Sequence, residues 1–394
     1  MEVKGYTLKK DSADPYVTAL LNSGKHKMKA HEILSGRTAL YTNIGFNSPV
    51  TFVKELENAL SVHNKQLYDS YQSSRKKIEG LFGISLEENF LSWMSGEFAI
   101  TQSEPGLLGH DPELILAIRA KSIKDARRNM EFIEKKIKRR TPVKIKTANY
   151  KDFEINYIEM KGFFRLFFGK LFDKFEKPYY TYVDDYVVFS NKAASLLSFV
   201  EDYEQKNLLK NNPGFENAYL KSSSTIFLYT DVRKFYSQLK PMMNPATWNE
   251  IQSNKDVLYS FPYWTMQIIG EDHSASLQYV MDYSPYQPEE VAVAIATDED
   301  DKEMNEDAET EKEQMSELKR FYVEKFEGNV LREFYPEGAL KSEAEVKEGK
   351  RHGRYREYYE DGTLKLRGKY ANNKPKGTWK YYTEDGKFER KEKF

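Results

Sequence analysis

The sequence predicts an α+β body with a mainly antiparallel sheet and packed helices, followed by a small all-β array of repeated hairpins. Three observations carry this reading. Through residue 287, segments of strand alternation and of helical spacing follow one another, and the strands come in adjacent pairs rather than in β-α-β order. An acid-rich block then interrupts the chain, with ten Asp or Glu in the sixteen residues 298–313. Beyond it the chain repeats itself: GNVLREFYPEGALK from Gly328, GRYREYYEDGTLK from Gly353 and GTWKYYTEDGKFE from Gly377 superpose. The turn glycines Gly338, Gly362 and Gly386 fall 24 residues apart, and glycine at a fixed phase of a fixed period marks a repeat architecture.

In the body, residues 1–35 are polar and weakly patterned. TALYTNIGF (38–46) reads as a strand, with Ser48-Pro49 opening a helix after it. Helical spacing through Phe52, Val53, Leu56, Leu60 and Val62, then Leu67, Tyr71 and Ile78, fits two helices joined by a break, and 86–94 fits a shorter helical piece. Segments 96–104 and 113–120 are strands that pair as a hairpin by adjacency. Ser122 caps a helix whose stripe is Ala126, Met130, Ile133 and Ile137. Two further hairpins follow, 143–160 around Tyr-Lys-Asp and 179–190 around Asp184-Asp185, then a helix over 192–203. A strand at 224–232, a helix through Phe235 and Leu239, and strands within 263–284 complete the body. LYTN (40–43) and LYTD (228–231) each close a strand just before a helix, so 36–203 and 224–284 read as a full and a partial copy of one unit.

Charge marks the organisation. Residues 1–297 carry 38 Lys+Arg against 36 Asp+Glu, residues 298–318 carry 2 against 11, and residues 319–394 carry 20 against 14. These shifts divide the chain into a body (1–287), an acidic linker (288–319) and a repeat tail (320–394). The linker has too few apolar residues to offset chain entropy and is expected to be unstructured. With no cysteine, disulfides, zinc–thiolate sites and thiol nucleophiles are excluded. No apolar run reaches the ~18 residues that span a bilayer, and the charged start MEVKGYTLKKD reads as a processed or truncated end rather than a signal peptide. Near-neutral charge argues against a nucleic-acid partner. The six His, including His110-Asp111 and Glu271-Asp272-His273, lack metal-ligand spacing, and no phosphate-loop, dinucleotide, nucleophile-elbow or zincin motif occurs. No catalytic residue, metal or cofactor is implied.

Within the tail, Tyr355, Glu357 and Tyr359 alternate with Arg354, Arg356 and Tyr358. Glu360-Asp361-Gly362 follows, then Leu364, Leu366, Gly368 and Tyr370 alternate with Thr363, Lys365, Arg367 and Lys369. Two alternating strands about Asp-Gly make a β-hairpin, since glycine supplies the positive φ of a tight turn. A lone hairpin is marginal in water, so neighbouring hairpins must bury Tyr355/Trp379, Leu364/Phe388 and Tyr370/Phe394 against one another. On Gly353, Tyr358, Tyr359, Asp361, Gly362, Leu364, Tyr370 and Gly377, and on Trp379, Tyr381, Tyr382, Asp385 and Gly386 of the next copy, the tail resembles the MORN-repeat variant of antitoxin-like bacterial proteins. That resemblance implies a ribbon of hairpins used for contacts with proteins or lipid. Pro336 and Ala344, where later copies have an acid and Gly368, suit a terminal repeat. Through residues 162–191 and NNPGFENA (211–218), the body resembles an uncharacterised family of bacterial envelope proteins, usually tethered by an N-terminal membrane segment; that likeness implies a periplasmic or envelope-associated protein, tethered in its full-length form, with a cytoplasmic location still open.

Two stretches invite sharper readings. GFFRLFFGKLFDKF (162–175) carries Phe164, Phe168, Leu171 and Phe175 on one helical stripe, widened by Phe163, Phe167 and Phe172; it either docks on a membrane or groove or packs across the sheet, and packing is preferred. YVDD (182–185) looks like the catalytic turn of reverse-transcriptase palms, but Asp-Asp is also ordinary turn chemistry. The preferred function is therefore a non-catalytic, envelope-associated scaffold that binds another protein, with Tyr355, Tyr359, Trp379, Tyr381, Phe163, Phe167 and Phe168 as contact residues. Peripheral membrane attachment through 163–175 and the basic tail is the alternative, and an enzyme built around Asp184 and Asp185 a second one.

Overall fold

In the computed structural model, residues 1–8, 14–108, 111–140, 145–158, 164, 174–175, 179–216, 223–271, 274–286, 316, 318–319, 321, 330–335, 340–347 and 350–394 are described. The chain divides into two compact units, Met1–Gly106 with Asp111–Ala294, and Leu107–His110 with Ile295–Phe394. The acidic run 298–313 lies outside the described residues.

The first unit opens with two elements that carry no sequence pattern. β1 (Glu2–Leu8) is an edge strand, and α1 (Pro15–Asn22) starts where the Asp14 carboxylate accepts from the Tyr16 and Val17 amides. β2 (Thr38–Gly45) leads into α2 (Pro49–His63), capped by Ser48. Asn64 breaks the helical run and caps α3 (Lys65–Phe82), which ends at Gly83 in the left-handed region, φ +62°. A π-helical turn, Glu87–Leu91, precedes the hairpin β3 (Met94–Ser103) and β4 (Glu113–Ala120). α4 (Ile123–Arg140) buries Ala126, Met130, Ile133 and Ile137, the stripe its spacing predicts. Then come β5 (Ile145–Tyr150), β6 (Phe153–Ile158), β7 (Tyr179–Val183), β8 (Tyr186–Ser190) and α5 (Ala193–Glu204). β9 (Ile226–Asp231), α6 (Val232–Leu239), α7 (Pro245–Ser253), α8 (Lys255–Tyr259), β10 (Tyr263–Gly270) and β11 (Ser274–Met281) close the unit.

Eleven strands form one antiparallel sheet in the order β1-β11-β10-β9-β2-β3-β4-β8-β7-β6-β5. The two echoed segments meet at its centre, where β2 and β9 pair with Tyr41 opposite Tyr229 and Leu40 opposite Thr230. Outward from that pair the connectivity is the same on both sides. Each central strand passes through helices into a hairpin (β3–β4 or β10–β11), and a further antiparallel strand, β8 or β1, flanks the hairpin.

Alternation splits the sheet into unlike faces. On one, Phe46, Phe98, Leu116, Ile118 and Phe189 pack with Phe52 and Leu60 of α2 and the stripe of α4. Phe164, which is fully buried, reaches this core 4.8 Å from the Phe189 ring, and Phe175 is buried beside it at 6.1 Å. On the other face stands a charged group in the interior. The Glu97 carboxylate, with no exposed surface, accepts from the Lys29 amide at 2.7 Å, the Ala30 amide at 2.9 Å, Asn43 Nδ2 at 2.9 Å and the Tyr186 hydroxyl at 2.8 Å. A buried carboxylate is tolerated only with such a full set of donors, so Glu97 pins the 24–32 loop to the sheet. Burial also lowers the basicity of His26 and His31 in that loop.

The second unit is a six-stranded antiparallel meander, β12 (Val330–Phe334), β13 (Leu340–Lys347), β14 (Lys350–Tyr358), β15 (Leu364–Ala371), β16 (Lys374–Tyr382) and β17 (Phe388–Lys393). The hairpins lie side by side in one continuous sheet, because the link between copies is itself a tight turn with Asn372 and Asn373 at φ +48° and +65°. Gly362 and Gly386 take φ +85° and +77° in the Asp-Gly turns, as the turn geometry requires. Gly338 lies outside the described residues.

Candidate functional site

The repeat sheet gathers Tyr355, Tyr370, Trp379 and Tyr381 on one side. Tyr355 and Trp379 are 7 % and 5 % exposed; they are the centre of a small core, not free contact residues. Their rings sit 5.6 Å apart, with Tyr370 edge-on to both at 5.3 and 5.0 Å. The spacing that repeats in sequence here fills space. A Cβ on Gly368 would fall 2.3 Å from Trp379 Cδ2, so this position must stay glycine for the indole to lie flat across β15. One period earlier Ala344, buried at 2 %, stands opposite Tyr355 in the ladder. The smaller phenol ring leaves room there for the methyl group.

A second repeated contact joins successive copies. The Tyr335 hydroxyl donates to the Tyr358 carbonyl at 2.8 Å, and one period on, Tyr359 donates to the Tyr382 carbonyl at 3.0 Å. Tyr359 is thus a clasp within the array, and its hydroxyl is committed there. Tyr381, half-buried, donates to Glu392 at 3.1 Å beneath the Arg390 guanidinium, 4.2 Å from its ring. Of the four aromatic residues expected to make outside contacts, none presents a free ring. Phe388, expected to bury against Leu364, is instead 57 % exposed beside Tyr382, and Phe394 is 56 % exposed although it touches Trp379 at 5.8 Å. Among the described residues, β17 has no strand on its outer side, and these rings are half uncovered.

The opposite side is charged. Arg354 and Arg356 of β14, Arg367 and Lys369 of β15, Lys376 and Lys380 of β16 and Lys391 of β17 are all exposed. Alternation places them away from Tyr355, Leu366, Trp379 and Tyr381. Their alignment across strands depends on the ladder register, which no local pattern contains.

Elsewhere the two aspartates form a turn. Asp184 has φ +48°, accepts from the Tyr203 hydroxyl at 2.8 Å, and shares an exposed hairpin with Asp185, which faces Arg119 at 3.8 Å. Among the described residues, no three His, Asp or Glu side chains gather as a metal would need. Phe163, Phe167 and Phe168 lie outside the described residues; Phe164 and Phe175 of the same stretch are core residues.

Residues 351–372 match the family model of the MORN repeat variant. The matched segment is β14, its Asp-Gly turn and β15, the copy whose geometry is described above. MORN repeats commonly bind proteins or membranes. No curated protein and no solved structure matches the chain.

Proposed function

We propose that the protein is a non-catalytic scaffold at the bacterial cell envelope, in the periplasm or attached to it, whose MORN-variant repeats dock another protein. The observation that carries this is the two-sided construction of the repeat sheet. Tyr355, Tyr370 and Trp379 are spent internally on holding the hairpins together, which leaves a charged surface of paired strands for contact. Flat surfaces of paired strands suit protein recognition better than small-molecule binding, which needs a concave, largely apolar site. The envelope assignment rests on the likeness of residues 162–191 and 211–218 to envelope proteins. The burial of Phe164 and Phe175 favours packing over membrane docking for the aromatic stretch.

Affinity capture from native envelope extract, with the full chain and with a chain ending before residue 320, tests the reading. A partner identified by mass spectrometry with the full chain alone is the expected result. Capture that is the same without the repeats would sink it, and flotation of the full chain with liposomes would favour the membrane alternative.

A further inference from the structure

The ladder register of the repeat sheet lines up its cations. Reading straight across the strands, Arg332, Glu343, Arg356, Arg367, Lys380 and Lys391 stand directly opposite one another. A second row runs Arg354, Lys369, Lys376. The two ends of this surface are built differently. Toward β13, Glu343 accepts from Arg356 at 2.7 Å, and Glu345 accepts from the Arg354 amide at 2.8 Å and from its guanidinium at 2.6 Å, which together hold the Glu345 carboxyl below its usual range. Toward β17 there is no such compensation. Among the described residues, Arg367, Lys376, Lys380 and Lys391 make no ion pair, and Arg367 only leans over the Tyr382 ring at 5.8 Å.

Like charges directly opposite each other destabilise a sheet. A surface that served only solubility would intersperse the signs, as the β13–β14 end does. With strands about 4.8 Å apart, Arg356, Arg367, Lys380 and Lys391 make a row about 14 Å long. We propose that this basic side of β14–β17 is the docking surface of the repeat sheet, and that it takes an extended acidic segment of a partner protein lying across the strands. The proposal rests on the scaffold reading and specifies its partner chemistry.

Charge and shape select this occupant. An extended chain presents carboxylates on one side about every 6.7 Å, so three of them span the row of four cations. A membrane-bound surface would pair its cations with apolar side chains that enter the interface; here Arg367, Lys369, Lys376, Thr378, Lys380 and Lys391 are joined by the acid Glu389, and the apolar groups are confined to the strand ends, at Tyr382 and Phe388. Single-stranded nucleic acid would need free aromatic rings between the cations for base stacking, whereas the rings beside the row are taken up, Tyr358 by its bond to Glu343 and Tyr382 under the Arg367 guanidinium.

The test uses the full chain and a fluorescein-labelled dodecamer of glutamate, read by fluorescence anisotropy at low salt. Because residues 298–313 are themselves acid-rich, a second chain with those acids changed to Asn or Gln is titrated in parallel. Binding by at least one of the two chains is expected, weakened about tenfold or more by the double change Lys380→Glu and Lys391→Glu and by raising salt to about 0.5 M. Failure of both chains to bind, or equal binding after the double change, overturns the proposal. So does equal or tighter binding, lost with the same two lysines, to vesicles of anionic phospholipid or to a DNA oligonucleotide. If envelope capture depends on the repeats but survives the double change, this proposal fails while the scaffold reading stands. If capture never depends on the repeats, the scaffold reading itself fails.

Discussion

The two sheets of this protein solve the same problem with unequal means. The eleven-stranded sheet is covered at its centre: Phe46, Phe52, Phe90, Trp93 and Phe98 are all at most 2 % exposed, and even its charged Glu97 is sealed within four hydrogen bonds. Among the described residues of the six-stranded sheet, Ala344, Tyr355 and Trp379 form the buried apolar cluster, with half-buried Leu366, Tyr370 and Tyr381 around them. The thick sheet gains from desolvation, and its cost of disruption is spread over many neighbours. The thin sheet depends on ring-on-ring contact along one side, on clasps such as Tyr359, and on cross-strand pairs on the other. The lesson is that a repeat sheet can keep most of one side out of its core by concentrating its cohesion in very few residues.

That contrast can be broken by experiment, and the largest effect belongs to the covered sheet. Phe98→Ala should lower the stability of the body by about 3–5 kcal/mol in urea titration, because a fully buried ring leaves a cavity that the surrounding core cannot close. A loss under 1 kcal/mol would mean that the core is far looser than its burial implies. Trp379→Ala should cost the repeat unit about 3 kcal/mol and should raise amide exchange throughout 350–394 while leaving β2–β4 protected, since the indole is what Tyr355, Tyr370 and Phe394 share. Exchange confined to β16 would show the hairpins to be independent.

Acid should act on the body through His26 and His31. Burial is the first cause of the lowered pKa of both, although Glu97 opposes it, and Lys210 and Arg119 push the same way as burial. A histidine whose folded pKa lies below its unfolded value binds protons more readily when unfolded. Its contribution is therefore intact above pH ~6.5 and is lost as pH falls from there through the folded pKa. Thermal melts of the body across that window should fall with pH, and less steeply in His31→Gln; an unchanged slope would place the acid sensitivity elsewhere. The smallest effect should come from Arg354→Ala. Its pair with Glu345 is 70 % exposed on the arginine side, so less than about 1 kcal/mol is at stake, vanishing in high salt.

How far residues could be read without their neighbours depended on whether their pattern was local. The Ala126–Ile137 stripe, the Asp184 turn and the 24-residue period were legible because each answers to its own backbone geometry. β1 was not, since an edge strand with Val3 and Tyr6 exposed has no need of apolar alternation. Nor was α7, in which no residue is buried and no stripe results. Tyr355, Tyr359, Trp379 and Tyr381 stood out by their place in the repeat, but their internal contacts did not, because those depend on which strand lies beside which.

By itself the sequence determined the α+β class, the positions of the hairpin turns and the existence of repeats, all consequences of side-chain periodicity and of glycine's access to positive φ. Tertiary structure alone decided three things. It brought the strands of LYTN and LYTD together as the central pair, nearly two hundred residues apart in the chain. It surrounded Glu97 with donors from residues 29, 30, 43 and 186. And through the irregular register at Arg367/Lys369 it set Arg367 opposite Lys380, and Lys380 opposite Lys391. Each is a pairing between distant segments, and pairing energy depends on neighbours that no local window contains.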